Sequence, residues 1–97
     1  MMTAYVIVEM EVTDPVAIQE YRRLAGASVA AHGGRFIVRG GKLDYLEGGW
    51  HPERIVVLEF PTAGQAKTWW SSKDYAVARE IRERAARTRM ILVEGTE

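Results

Sequence analysis

The sequence predicts an α+β domain with its elements in the order strand, helix, strand, strand, helix, strand. Three observations predict it. Short β-branched runs alternate along the chain, apolar residues recur at helical spacing between them, and glycine, proline or serine marks the joins. With 97 residues, 47% hydrophobic and 27% charged, the pattern describes one small folded domain over residues 1–97 and excludes a disordered chain.

Tyr5 to Val12 is rich in β-branched and aromatic residues and forms the first strand. Asp14-Pro15 marks a helix start, a capping carboxylate followed by a proline whose φ suits the first turn. Ile18, Tyr21, Ala25, Val29 and His32 then share one helical face, and Gly33-Gly34 ends the helix. Arg35 to Arg39 alternates as the second strand. Gly40-Gly41 suggests a bulge or bend, with Leu43, Tyr45 and Leu46 as a continuation. A turn-rich stretch, Gly48 to Pro52, leads to the third strand, Arg54 to Phe60. Thr62 and Gln65 stand at capping-box spacing before a helix carrying Ala66, Trp69 and Trp70. Ser72 caps a second helical piece running to about Arg87, and Arg89 to Val93 is the last strand.

The simplest packing of these elements is the ferredoxin-like βαββαβ arrangement, a four-stranded antiparallel sheet with both helices on one face. Strands one and three are expected at its centre, running parallel, flanked by four and two. Val6, Val8, Met10, Val12, Val56, Leu58 and Phe60 should face the helices, and Phe36 and Val38 should join them. Tyr5, Ile7, Ile37, Ile55 and Val57 should occupy the other face, with Ile91 and Val93 or Leu92. No third layer remains to cover them. At about 25 cal/mol per Å² of apolar surface, leaving them in water forfeits several kcal/mol. The expected partner is therefore a second copy, in a two-fold homodimer through the open sheet face. The alternative is a monomer whose face is softened by Glu9, Glu11, Arg35 and Arg39.

Charge and composition exclude several functions. Thirteen basic and thirteen acidic residues cancel, so the chain lacks the surplus positive charge of a nucleic-acid binder. The third strand also lacks stacking aromatics for RNA on its open face. With no cysteine there is no disulfide framework, thiolate metal site or cysteine nucleophile. His32 and His51 have no metal-ligand spacing, and neither a GxGxxG fingerprint nor a P-loop is present, so no metal and no cofactor are expected. No apolar run approaches the roughly 20 residues of a membrane span. The start, Met1 to Ala4, has no basic region followed by an apolar one, so a cytoplasmic location is expected.

The quoted residues resemble a known family. Asp14-Pro15, Tyr21, His32-Gly33-Gly34-Arg35, Val38-Arg39-Gly40-Gly41, Leu46-Glu47-Gly48, Pro52-Glu53-Arg54, Leu58-Glu59-Phe60-Pro61, Trp69-Trp70, Ser72, Tyr75 and Arg82 are similar to the family called domain of unknown function 1330. The resemblance spans nearly the whole chain. It implies the dimeric α+β barrel superfamily, which includes cofactor-independent monooxygenases, small-ring isomerases and haem proteins. It carries no established activity with it.

Candidate site residues follow from chemistry. Glu9, Glu59 and Arg35 are expected to cluster at one end of the open face. Two close carboxylates there would drive one pKa upward, and an arginine fork would hold them; a structural ion pair is the alternative. His32 is either a general base near neutral pH or a helix cap. Arg39, before Gly40-Gly41, can serve as counter-ion to an anionic ligand or sit in an edge bulge. Tyr21, Trp69, Trp70 and Tyr75 either line an apolar cleft for a small ligand or fill the core. On α-helical spacing, Glu80–Arg84 and Glu83–Arg87 form a solvated salt-bridged face. The expected function is the binding or transformation of a small metabolite, with His32 and Glu59 as candidate catalysts. Glu9, Arg35, Arg39, Tyr21, Trp69, Trp70 and Tyr75 are the candidate ligand contacts. A non-catalytic ligand-binding or structural dimer is the competing reading.

Overall fold

The computed structural model describes residues 2–96. Met1, at the head of the stretch read for a targeting signal, and Glu97, the last of the polar tail, lie outside them. Strands β1 (Ala4–Val12), β2 (Arg35–Arg39), β3 (Ile55–Phe60) and β4 (Ala86–Glu94) form one sheet in the order β2-β3-β1-β4. Helices α1 (Ala17–Ala31), α2 (Ala63–Trp70) and α3 (Lys73–Ala85) complete the fold. This is the ferredoxin-like α+β arrangement, with the second helical segment broken in two at Ser71-Ser72.

Local chemistry sets the element ends. The Asp14 carboxylate accepts hydrogen bonds from the N–H groups of Val16 (3.1 Å) and Ala17 (3.0 Å), donors that α1 would otherwise leave unpaired. At the other end the Gly34 N–H reaches the Val29 carbonyl at 2.9 Å and the Gly33 N–H reaches Ala30 at 3.2 Å. Gly33 sits at φ +80°, the left-handed conformation this closure requires. Thr62 caps α2 by accepting from the Gln65 N–H, and Ser72 caps α3 by accepting from the Tyr75 N–H. Helix α3 ends at Ala85, earlier than its charge pattern suggests, and β4 begins at once. Arg87 therefore lies in the sheet and pairs with Glu11, not Glu83. Arg84 donates to the backbone carbonyl of Glu80, so the expected helical ion pairs do not form.

The sheet register corrects two expectations. Strands β1 and β3 are antiparallel, with Tyr5 opposite Glu59 and Glu9 opposite Ile55. The crossover from β1 through α1 makes β2 parallel to β1, and β3 is antiparallel to β2, so β3 between them must oppose both. The second correction is in β2. Phe36 pairs with Leu58, but Val38 pairs with Val57 and Arg39 with Val56. The extra residue, Ile37, is a bulge that reverses the faces of everything after it. Val38 thus joins the open face, and Arg39 turns to the helix side. The bulge lies before Gly40-Gly41, and residues 43–46 form no strand.

The buried core lies between helices and sheet. Val6, Val8, Met10, Val56, Leu58 and Phe60 meet Ile18, Tyr21, Ala25, Val29, Ala66, Trp69, Tyr75 and Ala78. On the other side Ile91, 62% exposed, and Val93, Ile37 and Val38 stand in solvent. The extents, 33 × 33 × 16 Å, are those of one sheet plus one helical layer. No helix among the described residues is long and apolar enough to cross a membrane.

Candidate functional site

A cavity of about 30 Å³ remains inside the core, between α1 and the helix-facing side of the sheet. A water needs roughly 10–15 Å³ on this scale, so the closed part holds only a few atoms. Val8, Met10, Ala25, Val29, Val56, Leu58 and Trp69 supply most of its apolar wall. Arg22, Arg39 and Arg54 also line it. The apolar residues are buried, whereas Arg39 is exposed and Arg22 and Arg54 are half-buried, so the arginines mark the open side.

The aromatic residues hold this wall in place. Trp69 is buried, and its indole N–H donates to the Ser28 hydroxyl at 3.0 Å, which donates in turn to the Ala25 carbonyl at 2.9 Å. Its ring packs on Tyr75 and Phe60, with centroids 4.2 and 5.4 Å apart. The Tyr21 and Tyr75 hydroxyls are 3.0 Å apart. Burial, then the adjacent Tyr75, pushes the Tyr21 phenol far above its ordinary pKa, so it remains protonated. Of the four aromatic candidates, Tyr21 and Trp69 line the cavity and Tyr75 buttresses both. Trp70 lies outside this cavity, beside Trp69 on a wider groove between α2 and β4. It is 46% exposed, with the Arg79 guanidinium over its ring at 4.3 Å.

The charged candidates separate. Arg35 donates to Glu59 at 2.8 Å on the open face, as the paired strand ends require. Glu9 lies at the opposite end of that face, because β1 and β3 are antiparallel. There it accepts from Arg89 Nε at 2.6 Å and from the Trp50 indole at 3.0 Å. The Trp50 and Arg89 hydrogen bonds hold the Glu9 carboxyl below its ordinary pKa. The proposed pair of interacting carboxylates therefore does not exist. His32 does not use its ring to cap α1. Its Nε2 lies 3.1 Å from the Asp74 carboxylate, joining the end of α1 to the start of α3. Neither His32 nor Glu59 lines the cavity. Among the described residues, no three metal-ligating side chains gather.

Neither Arg22 nor Arg54 is among the candidate site residues read from the sequence, although Arg54 stands in the Pro52-Glu53-Arg54 motif that carries the family resemblance. Arg54 precedes an apolar strand after a proline turn, and Arg22 sits beside Tyr21 on the inner helix. Only the bulge in β2 reveals that Arg39 joins them. Arg39 lies over the Phe36 ring at 3.9 Å and donates to the Arg22 carbonyl at 3.2 Å. Gly40, at φ +73°, packs directly on the Arg54 guanidinium, where a side chain would collide with it.

The model of a family described as Domain of unknown function (DUF1330) matches residues 3–96. The chain belongs to this family. Among curated proteins none matches it. Solved structures share the fold of this DUF1330 chain at low identity. A protein of unknown function from Rhodopseudomonas palustris is 17% identical with a TM-score of 0.75, over 99% of this chain and 84% of that one. SnoaB, a cofactor-independent oxygenase from Streptomyces nogalater, is 9% identical with a TM-score of 0.72, over 100% and 96%. A dimeric ferredoxin-like protein of unknown function from Thermobifida fusca is 13% identical with a TM-score of 0.65, over 97% and 92%.

Proposed function

We propose that this DUF1330 chain is a homodimeric small-molecule-binding protein, with the two faces of its sheet divided between the tasks. The inner face, with α1, holds the ligand. The outer face meets a second copy. The observation that carries the ligand reading is the cavity, an opening beside α1 into the core. Its wall comes from α1, α2 and three strands, and the aromatic stack of Phe60, Trp69 and Tyr75 fixes one side of it. Ligand sites are typically apolar and concave with few polar groups, and this one, far smaller than a pocket for a large ligand, suits only a short group.

The dimer reading is supported by the bare apolar outer face and by structural relatives described as dimeric, from Thermobifida fusca and Bacteroides fragilis. The broad face of a 33 × 33 Å slab has the scale of a standard interface, roughly 800 Å² per partner. Its end charges are already internally paired, Glu59 with Arg35 and Glu9 with Arg89, so covering the face leaves no lone charge there.

His32 and Glu59 hold structural positions in this reading, the helix clasp and the strand-end ion pair. His32→Ala and Glu59→Gln should therefore retain ligand binding. SnoaB, an oxygenase of the same fold, makes oxygen uptake the first turnover assay to run once a ligand is known. The binding test is thermal shift against a metabolite panel, with native mass spectrometry of the bound species. A hit should raise the melting temperature of the native chain and fail to do so for Ala25→Leu, which narrows the cavity. Equal shifts in both chains, or none from any compound, would remove the ligand reading.

A further inference from the structure

Three guanidiniums line one small opening, and among the described residues none of them is paired with a carboxylate. This differs from the arginines of the open face. Arg35, Arg87 and Arg89 each hold a glutamate. Arg39 finds only a ring face and a backbone carbonyl. Arg22 retains a buried Nε with no hydrogen-bond partner. A buried donor of this kind is costly unless something accepts from it. Arg54 is half-buried and wedged against Gly40. Burial, then the charges of Arg22 and Arg39, pushes its guanidinium below its ordinary pKa. Like charges gathered without a counter-charge destabilise the unliganded fold. An anion at the opening would relieve the repulsion and accept from guanidinium N–H groups that no carboxylate holds.

The remaining wall says what sort of anion. Behind the guanidiniums stand Val8, Val29, Leu58 and Trp69, which offer an inorganic ion nothing. The closed space admits only a short group. We propose that Arg22, Arg39 and Arg54 form an anion-binding mouth for a small organic carboxylate, its head among the guanidiniums and its apolar end in the cavity. The proposal rests on the ligand reading above and adds the chemical class. Arginine suits the task because its planar fork matches a carboxylate and stays charged.

The test is isothermal titration calorimetry of acetate, butyrate and benzoate, each beside its neutral amide, with inorganic phosphate as a further probe. At least one carboxylate should bind the native chain tenfold or more tighter than its amide and tighter than phosphate. Arg39→Gln and Arg54→Gln should each weaken it about tenfold, the loss of roughly 1.4 kcal/mol that one charge-assisted contact represents. A second readout separates binding from scaffolding. Without ligand, Arg54→Gln should melt at a higher temperature than the native chain, because it removes repulsion; a purely structural arginine would lower it. Amides binding as well as the carboxylates would overturn the anion mouth while leaving a neutral-ligand pocket standing. Phosphate binding tightest would overturn the organic-acid class. No binding by any of these probes, with Arg54→Gln less stable, would overturn the mouth, and the Ala25→Leu comparison would then judge the pocket separately.

Discussion

Gly33 carries the turn from α1 into the edge strand. Its φ of +80° costs an L-residue about 1–2 kcal/mol, and two backbone hydrogen bonds depend on the closure it allows. Gly33→Ala should lower the free energy of unfolding by about 1–2 kcal/mol in urea titration with an unchanged denaturant slope; an unaltered midpoint would contradict this account of the turn. The glycine pair was legible in the sequence because its role is local. The two tryptophans were less so. Trp69 follows Ala66 by three residues and shares its buried face, while Trp70 is turned by about 100° and meets solvent. Their adjacency hides the difference until the helix face is fixed. The place of Arg22 and Arg54 beside the cavity was illegible for another reason. Each is an ordinary surface-type residue beside an apolar run, and only tertiary packing brings them together.

At the scale of elements, α1 and α3 are joined by the Asp74–His32 contact and by the paired Tyr21 and Tyr75 hydroxyls. The Ser72 side chain, followed by His32, holds the Asp74 carboxyl below its ordinary pKa. The folded chain therefore resists protonation there more than the unfolded chain does. This contribution is complete above the ordinary aspartate range and is lost as pH falls through the depressed folded value. Thermal melts from pH 7 down to pH 3 should show a smaller acid-induced drop for Asp74→Asn than for the native chain. Parallel curves would remove the clasp from the account of acid stability. The element order, the caps and the division of β1 and β3 into two faces could all be read from periodicity. The bulge at Ile37 could not. Its flanks, Arg35-Phe36 and Val38-Arg39, fit an unbroken alternation equally well, and one inserted residue is decided by pairing with β3. The direction of β1 against β3 was legible in principle, since a crossover that leaves room for one strand forces it to oppose both neighbours.

For the whole molecule, the flat shape is the consequence that matters. A sheet with helices on one side has two apolar surfaces and only one covering layer. The uncovered one here carries exposed Ile37, Val38, Ile91 and Val93, with Ile7, Ile55 and Val57 half-buried among them. A buried side chain of this size is worth about 1.5–3 kcal/mol, so a few of them sharing an interface provide a strong drive to associate. Trp50, bonded to Glu9, borders a groove with Ile7, Ile55 and Ile91 and leaves it open. Sedimentation equilibrium at micromolar concentration addresses this most directly, run on the native chain beside Ile91→Glu, whose side chain is too exposed to matter to the core of a lone copy. The native protein should sediment at twice the 10.9 kDa of one chain, and Ile91→Glu at that of one chain with its fold intact. A native mass of 10.9 kDa would contradict the division of the sheet into a ligand side and a partner side.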